Sequence, residues 1–308
     1  MKSFRFWLTP LAVLAIASPT LSYPAAANEA SATTGSDFLS RPESIEIFVP
    51  PPENNVNPTP TCPANLTAAI DSIIRSRTNN WGILVESLAD RKVIYSHNAD
   101  KYFIPASNTK IFTTAAVLQR MNPETTIGSK SLRDWVNVTN HRSVNEYAEM
   151  LMRQVGGTQA AKSALTNLGV DPKSYRLVDG SGLSRQNAAT PRALVETLRA
   201  MYYAPGNSVF QASLPVAGVS GTLRNRMRQT PVQGIVYAKT GTLTGVRALS
   251  GYMNHPQYGL LVFSILVNDS QQPGTVLVKT IDRIVVQVDS AAGSCATFNL
   301  LKSTHNLT

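Results

Sequence analysis

Five short segments rich in Val, Ile and Tyr constrain the fold most strongly. Residues 81–88 and 92–96 predict a hairpin, and residues 234–240, 246–254 and 258–268 predict three consecutive strands. Two strands early, three late and helices between them indicate an antiparallel sheet whose edges come from both ends of the domain. We therefore predict an α+β fold, with a sheet of about five strands flanked by helices and a helical lobe made by the middle of the chain.

Apolar residues recur at helical spacing in the segments around and between these strands. The longest such segment is interrupted near Asn140, and another opens with Pro191, a residue favoured at the first position of a helix. The predicted helices cover residues 65–78, 107–120, 132–155, 191–203 and 274–288.

Three short polar motifs follow one another along the chain. They are SxxK at residues 107–110, SxN at 143–145 and KTG at 239–241. On a helix, Ser107 and Lys110 lie on one face, one turn apart. A serine hydroxyl is a weak nucleophile until a base takes its proton, so this pair predicts a nucleophile with its base. SxxK alone is a weak signal, and the order of the three motifs gives it its specificity.

The first residues have the pattern of a secretory signal peptide. Lys2 and Arg5 precede an apolar run over residues 6–17, and a small-residue cleavage site ends at Ala27. We predict a signal peptide at residues 1–27, with an uncleaved anchor as the alternative. No later segment approaches the length of a membrane span, so we predict no stable span after cleavage.

The segment after the signal peptide is unlike the rest of the chain. Residues 28–61 are rich in Ala, Ser, Thr, Asn and Pro, which predicts a disordered or polyproline-like linker. We assign residues 62–300 to the catalytic domain and 301–308 to a tail. The domain has about 240 residues, enough for one sizeable core.

The charge and the cysteines restrict the partners and the compartment. The formal net charge is +9 without any basic run, so we predict no nucleic-acid partner. Cys62 and Cys295 bracket the domain and predict one disulfide in an oxidising compartment, with two free thiols as the alternative. No metal or cofactor motif is present, and we predict neither.

The blocks around the three motifs resemble the penicillin-recognising serine enzymes. The similarity is greatest to the class C low-molecular-mass penicillin-binding proteins, the D-alanyl-D-alanine carboxypeptidase/endopeptidase family. It rests on PASNTK with TTAA, SVN with YAE, DGSGLS, GTLR and AKTGTL, which lie at residues 105–116, 143–149, 179–184, 221–224 and 238–243. The resemblance covers roughly residues 62–292 and implies a β-lactamase/transpeptidase-like fold.

One departure from the family concerns the chain between the first two motifs. The resemblance implies two large inserted domains there, but only 36 positions separate Ser107 from Ser143. We therefore predict a compact version that lacks the insertions.

The resemblance implies a serine carboxypeptidase, and possibly also an endopeptidase, that acts on peptidoglycan stem peptides. Ser107 would form an acyl-enzyme and Lys110 would be its base, with a pKa lowered by burial and by the nearby cation Lys239. Ser143 would relay a proton to the leaving amine. β-Lactam antibiotics would acylate the same serine, and the protein would be exported to the periplasm or cell envelope of a bacterium.

The remaining site residues are predicted to bind substrate. Asn145 would hold the substrate amide, with Ser143 two residues away on one face of an extended loop. The substrate carboxylate would lie against Lys239, Thr240, Gly241 and Thr242, and the N–H groups of Ser107 and Thr242 would bind the oxyanion.

Asp179 and Ser181 are candidates for lining the cleft. An aspartate that stabilises a glycine-rich turn is the alternative interpretation of this loop.

Two other functions remain open at this point. A class A β-lactamase would use a Glu to activate the deacylating water, but Glu196 lies inside an apolar-patterned helix and no other Glu has a suitable context. A non-catalytic cell-wall-binding module with the same fold is the second alternative.

Overall fold

A computed structural model describes residues 63–75 and 77–304, with side chains for residues 66–75 and 77–290. The predicted signal peptide, the predicted linker and Cys62 lie outside the described residues. Cys295 lies within the last helix, but its side chain is outside the described set. The signal-peptide, linker and disulfide predictions therefore stay predictions.

Helices form the two outer layers of the described fold. In the described residues the α-helices are α1 (Pro63–Ile74), α2 (Thr109–Arg120), α3 (Leu132–His141), α4 (Asn145–Val155), α5 (Gly157–Asn167), α6 (Pro191–Tyr203), α7 (Asn207–Ala212) and α8 (Gly274–Thr304).

Strands form a central sheet and two short hairpins. They are β1 (Trp81–Ser87), β2 (Val93–His97), β3 (Thr126–Ile127), β4 (Lys130–Ser131), β5 (Tyr175–Arg176), β6 (Ala188–Ala189), β7 (Val236–Leu243), β8 (Val246–His255) and β9 (Gly259–Asn268).

The central sheet has the order β2-β1-β9-β8-β7, and every pairing in it is antiparallel. The edge strand β2 comes from the start of the domain and the other edge, β7, from its last third. The predicted sheet of about five strands, with edges from both ends of the domain, is confirmed.

The sheet separates two apolar clusters. On one face Ile83 and Val85 pack with residues of α1 and α8, and on the other face Leu84 packs with residues of α2 and α6. Every residue of β1 is buried, which explains its continuous apolar run where a half-exposed strand would alternate. Because α2 packs on this second face of the sheet, the nucleophile segment at its start lies between β7 and the helical lobe.

Several helices differ from the sequence prediction: α5 and α7 were not predicted, α1 ends at Ile74 before residue 78, and α8 is longer than predicted. Segment 157–167 forms α5 although it begins with glycine, and Ala161, Ala164 and Leu165 bury its inner side. The last helix, α8, continues to Thr304, beyond its predicted end at residue 288. None of the helices in the described ranges is both long and apolar enough to cross a bilayer.

Candidate active site

The SxxK motif lies where α2 begins, and its lysine is completely buried. Lys110 Nζ is 3.1 Å from Ser107 Oγ, 2.8 Å from Asn145 Oδ1 and 2.7 Å from the Ser181 carbonyl oxygen. A single amine thus joins the nucleophile, the SxN motif and the 179–187 loop. The predicted proximity of Ser107 and Lys110 is present in the structure.

The turn that carries Ser107 is not α-helical, contrary to the predicted helix from residue 107. Residues 106–108 form a 3₁₀ turn, α2 begins at Thr109, and Ala106 has a left-handed φ of +48°. A left-handed alanine costs roughly 1–2 kcal/mol, and such conformations cluster at functional sites. The kinked turn leaves Ser107 half-buried, between the buried residues Ala106 and Asn108.

Glycine at position 241 allows β7 to approach this turn. A Cβ at Gly241 would lie 2.7 Å from the Pro105 carbonyl oxygen and 2.8 Å from Ala248 Cβ. Any side chain there would push the strand away from the nucleophile turn. Gly241 of KTG therefore brings the strand close to Ser107 and contributes no side chain to the cleft.

The SxN motif is not one extended loop, so that prediction was wrong. Ser143 has a φ of +60°, and Asn145 is the first residue of α4. The left-handed turn at Ser143 separates it from the helix that presents Asn145. The two side chains therefore bond to different lysines: Asn145 Oδ1 accepts from Lys110 and Ser143 Oγ from Lys239.

Lys239 is the second completely buried lysine of the site. Its Nζ donates to Ser143 Oγ at 2.7 Å and to the Thr240 carbonyl at 3.0 Å. The Thr240 hydroxyl in turn donates to Thr222 Oγ1 at 2.8 Å. Sequence reasoning gave Thr222 no role, although it lies in the GTLR block.

The edge of β7 that faces away from β8 presents backbone N–H donors. The Ala238 N–H donates to the Pro215 carbonyl at 2.9 Å and so points away from β8. Backbone groups alternate in direction along a strand, so the Thr242 N–H, four residues on, points to the same side. The Ser107 N–H has no backbone acceptor among the described residues. Both N–H groups are available to an oxyanion.

Burial sets the protonation of the two lysines. It lowers the pKa of Lys110 to about 8, against the opposing charges of Asp179, Glu149 and Glu146. The pKa of Lys239 is lowered well below its usual value, first by burial and then by repulsion from Lys110. Repulsion between the two amines acts on the pair, so the influence of Lys239 on the pKa of Lys110 stays a prediction.

The three oxygen partners of Lys110 can accommodate the neutral amine as well as the ammonium form. A neutral amine has two N–H donors and one lone pair. Asn145 Oδ1 and the Ser181 carbonyl oxygen are hydrogen-bond acceptors and cannot donate. These two acceptors use both donors. The lone pair is then left for the hydrogen of the Ser107 hydroxyl, which is the geometry that a general base requires.

Asp179 stabilises the 179–187 loop from within. Its carboxylate accepts from the backbone N–H groups of Gly182 at 2.7 Å and Ser184 at 2.6 Å, and from Asn187 Nδ2 at 2.8 Å. This geometry favours the turn-stabilising interpretation. Ser181 is buried and contacts Lys110 through its carbonyl oxygen, whereas its hydroxyl accepts from the loop N–H of Leu183.

Glu149 holds the same loop from α4, a contact for which the sequence gave no specific signal beyond the YAE block. Its carboxylate accepts from the Gly180 N–H at 3.2 Å and the Ser181 N–H at 2.8 Å. Among the described residues, no three His, Cys, Asp or Glu side chains are grouped so that they could hold a metal ion.

Gly182→Ala is expected to disrupt the site strongly. Gly182 has a φ of +82°, and a Cβ there would lie 1.8 Å from the Ala106 carbonyl oxygen, so the loop or the nucleophile turn must move. We expect the free energy of unfolding to fall by about 3 kcal/mol and acylation by fluorescent penicillin to slow by about 100-fold. Chemical denaturation and gel fluorescence measure the two effects.

Gly157→Ala is the matched control for this prediction. Gly157 has a similar φ of +85°, but no atom lies within 4 Å of its added Cβ. Only the conformational penalty of about 1 kcal/mol should remain, with the acylation rate unchanged. Equal effects of the two substitutions would contradict the close contact between loop and turn.

The fold and the three clusters together define a class, the serine enzymes with the β-lactamase and penicillin-binding fold. The TLA-1 extended-spectrum β-lactamase has a TM-score of 0.66 at 18% identity, covering 75% of this chain and 99% of that one. Penicillin-binding protein 4 of Haemophilus influenzae has a TM-score of 0.59 at 15% identity, with coverages of 75% and 99%. At these identities the likeness concerns the fold alone.

The chain belongs to the D-Ala-D-Ala carboxypeptidase 3 (S13) family. Residues 65–130 and 125–288 match that family, which is well over half of the chain. The predicted relationship to the class C low-molecular-mass penicillin-binding proteins is thereby confirmed. The two matches meet at residues 125–130, between the first two motifs, where the β3–β4 hairpin lies.

Curated relatives match the chain over part of their own length. The D-alanyl-D-alanine carboxypeptidase of Actinomadura strain R39 is 43% identical over 167 residues, covering 49% of this chain and 30% of the relative. D-alanyl-D-alanine carboxypeptidase DacB of Haemophilus influenzae is 32% identical over 154 residues, covering 46% and 32%. The chain thus spans about a third of the length of the curated relatives it matches.

Proposed function

We propose that this protein is a serine D-Ala-D-Ala carboxypeptidase that acts on peptidoglycan stem peptides through an acyl-enzyme. One observation carries the proposal: a fully buried lysine, with a pKa lowered to about 8, lies 3.1 Å from the half-buried hydroxyl of Ser107. A serine paired with a neutral amine is activated for acyl transfer. Family membership and the names of the matched relatives support the substrate class.

Acylation begins with proton transfer. Lys110 Nζ takes the proton of Ser107 as Oγ bonds to the carbonyl carbon of the D-Ala–D-Ala peptide. The carbonyl oxygen becomes an oxyanion between the backbone N–H groups of Ser107 and Thr242. The kinked turn at residue 106 and the close approach of Gly241 support this arrangement, since they bring the two donors to the same side of the cleft.

Collapse of this intermediate breaks the C–N bond. The proton held by Lys110 would pass to the leaving nitrogen through the Ser143 hydroxyl, which in the free protein accepts from Lys239 and must turn toward Lys110 for this step. D-Alanine then departs with a neutral amine, and the ester on Ser107 remains. Water then attacks the ester with the same base, which regenerates the serine. Asn145, bonded through Oδ1 to Lys110, keeps its amide N–H group for the substrate carbonyl.

The terminal carboxylate of the substrate would form an ion pair with protonated Lys239. The buried amine has two oxygen partners, Ser143 Oγ and the Thr240 carbonyl, neither of which is charged. A carboxylate placed against it, with the hydroxyls of Thr240 and Thr242, raises the pKa of Lys239 and favours its charged form. Lys239 then becomes the cation that repels a proton from Lys110 when substrate is bound.

β-Lactams would acylate Ser107 in the same way. Penicillin-binding protein 4 of Haemophilus influenzae, which shares the fold, has been solved in complex with a novel β-lactam. Export to the periplasm or cell envelope of a bacterium follows from the signal-peptide pattern of residues 1–27 and from the location of the proposed substrate.

Three carboxylates of the described residues that a β-lactamase could use to activate water have other partners. Glu196 lies on α6, where it interacts with Arg192 and with the backbone of Asp171. The carboxylates of Glu149 and Asp179 both accept loop N–H groups. We therefore expect a penicilloyl ester on Ser107 to be hydrolysed slowly. A non-catalytic module has no need for the contact between Lys110 and Ser107.

Two substrates decide between these functions. The purified protein is incubated with a muropeptide mixture ending in D-Ala–D-Ala and, separately, with nitrocefin. We expect mass spectrometry to show loss of one alanine, and nitrocefin to be consumed in a stoichiometric burst. Loss of cross-links would show that the protein also has endopeptidase activity. Rapid nitrocefin turnover with intact muropeptides would contradict the proposal.

A further inference from the structure

We propose that Glu149 is a positioning residue that fixes the base, Lys110, through the main chain of the 179–187 loop. The inference rests on the proposed acyl-transfer function. Glu149 belongs to α4, one turn after Asn145, and its carboxylate is half-buried against the loop. It touches neither the nucleophile nor the base through any of its hydrogen bonds.

The contact runs through a single residue of the loop. Glu149 accepts the Ser181 N–H at 2.8 Å, and the Ser181 carbonyl accepts from Lys110 Nζ at 2.7 Å. The second carboxylate oxygen accepts the Gly180 N–H at 3.2 Å. Two bonds to a charged acceptor hold this segment from α4, while Thr113 of α2 donates to the Gly180 carbonyl at 2.7 Å. The position of the Ser181 carbonyl then sets the direction of the Lys110 lone pair.

Without Glu149, the loop has no comparable anchor on α4. Asp179 binds Gly182, Ser184 and Asn187, all of which belong to the loop itself. Asp179 therefore determines the internal shape of the loop. Glu149 determines where the Ser181 carbonyl lies relative to α4, the helix that also presents Asn145 to Lys110.

The charge of Glu149 acts on the base as well. The charged groups that face Lys110 are Asp179 from the loop, Glu149 and Glu146 from α4, and Lys239 from β7. The carboxylates favour the protonated amine. Loss of the Glu149 charge should therefore lower the pKa of Lys110, so that the base becomes neutral at lower pH.

Three substitutions separate the geometric effect from the charge effect. Glu149→Gln removes the charge and leaves one acceptor for two N–H groups. Glu149→Asp keeps the charge but is one methylene too short to hold both. Glu146→Gln is the matched control, because Glu146 is exposed on the same helix and forms no hydrogen bond to the loop within the described residues.

The measurement is the rate constant for acylation by fluorescent penicillin between pH 6 and 10, with the unfolding temperature of each variant. For Glu149→Gln we expect the plateau rate to fall about 10- to 100-fold and the midpoint of the rise to move down by about 0.5 pH unit or more. For Glu149→Asp the plateau should fall similarly while the midpoint stays. Glu146→Gln should keep the plateau and shift the midpoint by less, because solvent screens its charge.

The outcomes separate this inference from the proposed function. A wild-type protein that is not acylated contradicts the proposed function itself. Normal acylation of the wild type, with profiles of both Glu149 variants that coincide with that of Glu146→Gln, overturns the role of Glu149 alone. If Glu149→Gln does not fold, the plateau of Glu149→Asp decides: a rate equal to the wild type overturns the inference, and a reduced rate supports it.

Discussion

Ser107→Ala is expected to abolish both the release of D-alanine and covalent labelling by fluorescent penicillin. The substitution removes the hydroxyl oxygen that we propose forms the ester and leaves the Lys110 amine with its two oxygen acceptors, Asn145 Oδ1 and the Ser181 carbonyl. Because Ser107 is only half-buried and alanine suits the turn, we expect little change in the free energy of unfolding. Gel fluorescence and D-alanine release measure the loss.

Ser72→Ala is a suitable control for this experiment. Ser72 is exposed on α1, which packs on the opposite face of the sheet from α2. The control should be labelled at the wild-type rate. Labelling that persists in Ser107→Ala, at a rate near that of the control, would contradict the assignment of the nucleophile.

Lys110→Met is expected to slow acylation by about 10²- to 10⁴-fold, the usual contribution of a general base. Methionine fills a similar volume without a lone pair for the Ser107 proton. The protein should remain folded, since methionine at this position avoids the cost of burying an amine. Stopped-flow or gel-based acylation kinetics measure the rate, and thermal unfolding measures the fold.

The pH dependence identifies the base independently. The amine accepts a proton only when neutral, and its folded-state pKa is about 8, so wild-type acylation should rise with pH and reach its midpoint near 8. In Lys110→Met this rise should disappear while the residual rate stays low. A rise that persists in the variant would assign the base to another group.

Much of the scaffold was predictable from local patterns. Residues 191–203 were predicted as a helix, and α6 has those bounds because Pro191 opens it and Thr190 caps it through the Ala193 N–H. The five strands were predictable because their Val- and Ile-rich segments are bounded by turn residues. The sequence prediction missed α5, which begins with the glycine pair at 156–157, a pattern typical of a turn.

The parts of the site that the sequence did not reveal depend on tertiary contacts. The left-handed residues Ala106 and Ser143 are not glycines, so the sequence does not predict their conformation. Surrounding contacts must stabilise them. The Ser181 carbonyl reaches Lys110 through its backbone, which a side-chain motif does not encode. The lowered pKa values of Lys110 and Lys239 depend on how deeply each amine is buried, which emerges only when both are placed in the fold.

The most direct test of the central claim is to locate the acylated residue in the wild-type protein. The protein is incubated with penicillin, quenched, digested and sequenced by tandem mass spectrometry. We expect one penicilloyl group per molecule, carried by Ser107. An adduct on Ser143 or on any other residue, or no adduct at all, would contradict the proposal that Ser107 is the nucleophile activated by Lys110.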